Sequence, residues 1–473
     1  MYIKNTSQLL PKDLNIKQLR LRKIGLQILE QIIQLVKPKY LMGKSVKIQK
    51  GKLYIQNDEY DLHKYKKIYI IGGGKATAEM ALALESYFIE LKDIDYEGII
   101  NIPISAQKQE NYKKSKINFN FASHPIPNEN GLNGTMSMME KVERATETDL
   151  IFCLLSGGGS SLLPLPKEGI KFEDLQKIND LLLSSGASIH EINVIRKHLS
   201  DFKGGNLVKN IYNSSRANVI SLIISDVVGD NLDSIASGPT VPDRSTFKDA
   251  YIIVKKYKLF KILPNSVRKH LERGLKDKTL ENPKPNDNCF TNVHNYLIGS
   301  IRFAVQEVIK HYRKNGYKVD YFSNKITGEA REFGKLMYQI ISQYIKDNFV
   351  QNKYENMILI GTGELTVTIR GNGIGGRNQE MLLGFLNYIK DKKIDYNFLI
   401  IGANLDGLEG NSRAMGACID NIVLKQIISE NIELKNFLEN NNSNVFFKKL
   451  GLELITGSTG CNVNDLVLII LSK

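Results

Sequence analysis

The residues whose types and spacing could do chemistry lie in a few short stretches. Gly72-Gly73-Gly74-Lys75 follows an apolar run. Glycines permit positive φ and close backbone approach, so successive N–H groups could form an anion nest, with Lys75 in reach of a phosphate. An ordinary tight turn with an exposed lysine reads the same way. GxxxxGK[ST] fails, and Thr77 stands where GxGxxG needs its third glycine. Ser156-Gly157-Gly158-Gly159-Ser160-Ser161 is a second run of donors. It does not match GxSxG, so it reads as a phosphate or carboxylate loop ahead of a serine nucleophile. Ser225-Asp226-x-x-Gly229-Asp230 puts two carboxylates in one loop, which suits either Mg²⁺ shared with phosphate oxygens or Asx-turn capping. Asn193-x-x-Arg196 and Lys203-Gly204-Gly205 concentrate cationic groups. On a helix Asn193 and Arg196 share a face, and a guanidinium pairs with carboxylate or phosphate; a solvated basic face is the alternative. Gly375-Gly376-Arg377-Asn378-Gln379-Glu380 is a glycine turn opening a helix. Its arginine would be free to swing to a phosphoryl group, unless the segment is only a hairpin-to-helix connection. His124 is a lone histidine, for which a structural role competes with acid–base chemistry.

The elements that must position these residues read as α/β. Residues 15–40 carry helical apolar spacing up to Pro38. Ile68–Ile71, Leu150–Leu155 and Val219–Ile224 are apolar runs ending in the glycine, serine and aspartate loops. Three parallel strands would bring those loops to one sheet edge, where open α/β folds bind ligands. The polar, proline-bearing stretch 261–289 reads as a connection between a domain over 1–260 and one over 290–473. In the second domain Tyr296–Ile298, Val319–Tyr321, Met357–Ile360, Thr366–Arg370 and Phe398–Ile401 read as strands, with Leu466–Leu471 closing the sheet.

Composition narrows the class. The 473 residues are 42% apolar and carry 64 Lys and Arg against 50 Asp and Glu, a net charge of +14. That is enough apolar residue for folded cores. The basic residues are scattered, without a basic block or RNP-like aromatic motif, so no nucleic-acid partner is expected. No apolar run reaches the ~18–20 residues of a membrane span, so no membrane partner is expected either. The N-terminus lacks the apolar core of a secretory signal, and its Asp and scarce Arg disfavour an organelle presequence. The four Cys form no CxxC or Cys/His cluster, which fits a reducing, cytoplasmic setting.

Seven motifs then carry a resemblance. IIGGGKATAEMA, SHPIPNENG, LLSGGGSSLL, NVIRKHLSDFKGGNL, LIISDVVGDNLDSIASGPTVPD, GGRNQE and TGCNVNDL stand in the order found in the glycerate 2-kinase family that ends in a MOFRL domain. The resemblance implies two three-layer α/β/α domains, the N-terminal one Rossmann-like with a mostly parallel sheet. It implies an ATP-dependent kinase that phosphorylates the 2-hydroxyl of D-glycerate with a divalent cation such as Mg²⁺, and allows a homodimer. It carries the family's functional lysine and arginine onto Lys75 and Arg377. On this reading Lys75 and Arg377 bracket the γ-phosphoryl group from opposite domains, and Asp226 and Asp230 hold the metal or orient the attacking hydroxyl. Gly72, Gly73, Gly74, the Ser156–Ser161 loop, Asn193, Arg196 and Lys203 would hold glycerate or phosphates. Glu364, Gly375, Gly376, Asn378, Glu380 and Asp406 would face the nucleotide. Some relatives are named hydroxypyruvate reductase, but no nicotinamide fingerprint is present. Leu405, Glu409, Arg413, Ile301 and Cys461 depart from the family pattern. The alternatives are therefore a kinase for another small hydroxy acid or a weakened ligand-binding homologue.

Overall fold

The computed structural model describes residues 1–91, 93–106, 110–348, 354–461 and 463–473. Its chain divides into two compact units, one of Pro38–Gly299 and one of Met1–Lys37 with Ser300–Lys473.

The first unit is built on six parallel strands: β1 (Ile68–Gly73), β2 (Tyr96–Pro103), β3 (Ile117–Ala122), β4 (Leu150–Leu155), β5 (Asn218–Ile224) and β6 (Val293–Gly299). Their order, β3-β2-β1-β4-β5-β6, is that of a Rossmann sheet. Every residue of β1 and β4 is buried, as expected of central parallel strands covered on both faces. On one face Phe152 meets Phe88 of the helix Thr77–Glu90. On the other, Ile151 and Cys153 share a core with Met138 and Val142 of the helix Glu129–Arg144. A small antiparallel sheet (Val46–Gln49, Lys52–Ile55, Asp58–Asp61) belongs to the same unit.

The second unit holds β7 (Lys318–Ile326), β8 (Asn356–Gly363), β9 (Asn397–Asn404), β10 (Gly416–Asp420), β11 (Glu453–Leu454) and β12 (Asp465–Ser472) in the order β7-β8-β12-β9-β10-β11. Only β7 and β8 run parallel; the other pairs are antiparallel. The helix Ile16–Leu35 lies on one face, its Gly25 close against Leu399 and Ile401. The helix Arg377–Ile389 covers the other, where Phe385 meets Phe398.

Four expectations change. The division falls at Lys37/Pro38 and Gly299/Ser300, so the first helix belongs with the C-terminal unit. Tyr296–Ile298 lies in β6 of the first sheet because it adds in register beside β5. The 261–289 stretch is folded structure, with the helix Asn265–Gly274 and a buried Asn282 that donates to Asp243 (2.9 Å) and accepts from Asn206 (2.7 Å). Residues 366–370 form no strand beyond a bridge from Thr366 to Glu329, whereas Leu466–Leu471 is the buried strand expected, lying within β12.

Candidate active site

In the first unit the strand order reverses between β1 and β4, so the loops leaving their carboxyl ends diverge and open a crevice. The glycine loop after β1 is pinned to the serine loop after β4. Gly74 N donates to Asn101 O (3.2 Å), Lys75 N to Gly157 O (2.9 Å) and Ala76 N to Ser156 Oγ (3.0 Å). A Cβ on Gly72 would stand 2.0 Å from Leu154 O, and one on Gly74 2.2 Å from Ser156 Oγ. The glycines therefore serve close loop-to-loop packing. The anion nest expected at Gly72–Gly74 is not formed, because the N–H groups of Gly74, Lys75 and Ala76 already have acceptors. Ser156 is likewise buried and engaged.

What opens beside these loops is a cavity of about 210 Å³, below the ~300–1,000 Å³ typical of drug-sized ligands. Gly158, Ser160 and Ser161 line it with His124, Pro125, Asn179, Arg196, Ser200 and Lys203. Gly158 adopts φ +81°, and a Cβ there would meet His124 at 3.0 Å and Lys75 Cγ at 3.3 Å, so those two side chains converge on it. Burial, reinforced by Lys75, lowers His124 to about 4 and leaves its ring neutral at pH 7. The helix Ile189–His198, fixed by a Ser188/Glu191 capping box, carries Asn193 and Arg196. Arg196 Nε donates to Asn179 Oδ1 (2.8 Å), and Lys203 Nζ donates to Leu163 O (2.6 Å). Among the described residues neither cation has a carboxylate partner. Asn193 accepts from Ser237 Oγ (3.4 Å), which also bonds Ser160 Oγ (2.8 Å). Ser237 and Ala236 hold left-handed backbone (φ +58° and +50°). Ser200 shares a helix face with Arg196 by sequence spacing; Asn179 was not singled out, and only the fold brings it to Arg196.

Asp226 and Asp230 stand half-buried on the turn after β5, where Asp230 N donates to Val227 O (3.0 Å). No group of three or more His, Cys, Asp or Glu able to hold a metal occurs among the described residues. A carboxylate pair fits Mg²⁺, which takes its other oxygens from water and phosphate.

In the second unit a cavity of about 780 Å³ is lined by Glu364, Gly375, Gly376, Arg377, Glu380 and Asn404 among others. Arg377 is not free to swing. Asp465 holds its Nε and Nη2 (2.5 and 2.9 Å), and Glu364 accepts from its Nη1 (2.7 Å). Burial works to lower the guanidinium, and Asp465 outweighs it, so the group is held firmly charged. Glu409, fully buried, caps the helix that starts at Arg377, accepting from Asn378 N (2.8 Å), Gln379 N (3.0 Å) and Gln379 Nε2 (2.8 Å). Burial pushes Glu409 up to about 7 against those hydrogen bonds. Glu380 is committed to Arg331 (2.5 Å) and Asn441 (3.0 Å). Asn441 also accepts from the backbone of Arg370 and Gly371, while Asn440 and Asn442 accept from Asn372 and Ile374. Three consecutive asparagines thus clamp the glycine-rich loop, although by sequence they look like compositional bias. Asn378 is buried, and among the described residues neither polar atom of its side chain has a partner at hydrogen-bonding geometry; Asp406 lies on the loop after β9.

Two family models match this chain: Domain of unknown function (DUF4147) over residues 25–272 and the MOFRL family over residues 357–465. The chain is 38% identical to the glycerate 2-kinase of Pyrococcus horikoshii, over 96% of its own length and 98% of the relative's. It belongs to the glycerate kinase family. It is also 33% identical to the D-glycerate 2-kinase of Thermotoga maritima, over 95% of this chain and 98% of that one. The crystal structure of a Thermotoga maritima glycerate kinase superposes with a TM-score of 0.79 at 33% identity, covering 96% of this chain and 100% of the other. Among this glycerate kinase family member's departures, Leu405 and Cys461 are buried, Ile301 opens a helix, and Arg413 is exposed. Asn462 of the last motif lies outside the described residues.

Proposed function

We propose that this chain is a D-glycerate 2-kinase, transferring the γ-phosphoryl group of ATP to the 2-hydroxyl of D-glycerate. The observation that carries the reading is the small cavity at the strand-order reversal, lined by Arg196 and Lys203, which have no carboxylate partner among the described residues. A three-carbon acid suits its size and charge. Phosphoryl transfer asks the protein mainly to position reactants and to neutralise charge on the moving group. Lys75, beside His124 at Gly158, is the candidate catalytic cation of the first unit, and Arg377, pre-oriented by Asp465, is that of the second. Asp226 orients the attacking hydroxyl. Mg²⁺ bound with the nucleotide would supply further neutralisation, and Asp226 and Asp230 are the carboxylates that would hold it. The glycine-rich loop before Arg377, with Glu364 and Asp406, is assigned to the nucleotide. The four free, buried cysteines suit a cytoplasmic setting, and a homodimer belongs to the same reading.

The test is ADP release with D-glycerate and Mg²⁺, with the product identified by NMR. The expected product is 2-phosphoglycerate, and 3-phosphoglycerate or no turnover would refute the reading. Lys75→Ala and Arg377→Ala should each lower kcat by at least ~10²-fold while remaining folded, the usual cost of removing one charge-stabilising donor.

A further inference from the structure

We infer that the Arg196–Lys203 cavity is a carboxylate pocket whose occupation draws a proton onto Lys203, so that the acid substrate binds together with H⁺. This rests on the acceptor assignment above and goes beyond it.

The geometry comes first. Lys203 is 4% exposed, and among the described residues its Nζ has one hydrogen-bond partner, Leu163 O at 2.6 Å. A charged ammonium has three protons to place. Arg196 spends its Nε on neutral Asn179. Two basic side chains thus share one small cavity with no carboxylate partner among the described residues, an arrangement that a bound anion makes favourable.

The anion is a carboxylate rather than a free phosphate. The N–H groups of Lys75 and Ala76 are engaged, whereas those of Gly158 and Ser160 at the cavity wall have no acceptor among the described residues and suit either anion, so the rest of the wall decides. The remaining wall, with Pro125, Pro127, Pro164, Leu175 and Leu183, suits a short carbon skeleton.

The proton follows. Burial, with Arg196 next in weight, pushes the Lys203 amine down to about 7. The other ionisable groups around it do not compensate. His124 lines the same cavity and is itself held neutral. Asp201 is paired with Lys167 (2.5 Å), and Lys197 lies within reach of Asp233 (3.3 Å) and Asp243 (3.6 Å). A bound carboxylate supplies the missing counter-charge and raises the lysine again. Above pH 7 the empty site holds a neutral amine, so binding must take up a proton. Affinity therefore falls as pH rises above about 7, by at most ~10-fold per pH unit.

Calorimetry of the full chain without nucleotide, at pH 8 in two buffers of different ionisation enthalpy, reads this directly. D-glycerate and D-lactate should bind with uptake of roughly half a proton or more, and uptake should vanish near pH 6. Glycerol, without a charge, should not bind. Lys203→Met, which keeps the aliphatic stem, should abolish uptake and weaken binding at least tenfold. Arg196→Gln should also weaken binding at least tenfold, with smaller uptake because Lys203 is then held down by burial alone. Zero uptake with every carboxylate, or unchanged uptake in Lys203→Met, overturns the inference. Inorganic phosphate binding more tightly than either acid overturns the carboxylate assignment. Uptake with these acids but no turnover of D-glycerate leaves the pocket standing and removes the kinase reading instead.

Discussion

Glu409 and Arg377 show how much of this protein's chemistry is set by immediate neighbours. In sequence, Glu409 is a departure from the family pattern; in the structure it is the fully buried cap of the helix that presents Arg377. Its folded pKa, about 7, lies above its ordinary 4.5, so the folded state binds more protons than the unfolded chain between those values. Its contribution to stability is present below pH 4.5 and is lost as pH rises through 7. Calorimetric melting of wild type and Glu409→Gln from pH 4.5 to 8 should show wild type losing ground to the variant up to about pH 7, with a constant difference beyond. His124 has the opposite sign, since its folded value lies below its ordinary one and its contribution is lost as pH falls from 6.5 toward 4. The wild-type to variant difference isolates Glu409 from it. Lys75, Asn193, Arg196 and Lys203 were legible as candidate groups from residue type. That Arg377 would be locked by Asp465 was not, because the two are 88 positions apart.

The loops of the first unit illustrate the element scale. Strand, glycine turn and helix were readable from Ile68–Ile71 and its followers, because buried parallel strands leave continuous apolar runs. The purpose of the glycines was not readable, since packing against a neighbouring strand end and cradling a phosphate both select glycine. Gly72 adopts φ +139°, and its missing Cβ makes room for Leu154 O. Gly72→Ala should cost at least ~1–3 kcal/mol from backbone strain alone, with the clash in addition. Chemical denaturation would register this as a lower midpoint, and an unchanged midpoint would mean that the two loops are not packed as described. The left-handed pair Ala236–Ser237 stores strain where Ser237 reaches Ser160 and Asn193, the kind of position that persists when a site requires it.

At the scale of the whole molecule, the N-terminal arm is part of the C-terminal unit. Arg22 donates to Asp420 at 2.8 Å in a pair that is 6% and 0% exposed by side chain, and Asp420 caps the helix Asn421–Ser429. Leu26, Ile28, Leu29, Ile32 and Ile33 are buried beside it. Removing one partner of a buried ion pair costs roughly 3–5 kcal/mol, a large share of the ~5–15 kcal/mol by which native proteins are stable. Deleting residues 1–37 should therefore unfold the second unit, while a 38–299 fragment keeps a cooperative transition by circular dichroism. A deletion variant with both transitions intact would contradict this. Local patterning showed a helix at 15–40, but nothing in it said which sheet the helix would cover.

Taken by itself, the sequence determined the α/β class, the loops at strand ends, the absence of nucleic-acid and membrane signatures, and the ordered motifs that mark the family. These are local properties, written in apolar periodicity, glycine placement and residue type. Tertiary structure alone decided which groups meet. It turned the Gly74–Ala76 N–H groups inward, left Arg196 and Lys203 without a carboxylate partner among the described residues, bound Arg377 to Asp465, and joined the first 37 residues to the last 174. Pairings across such separations depend on the packed geometry of whole sheets, which short-range pattern does not encode.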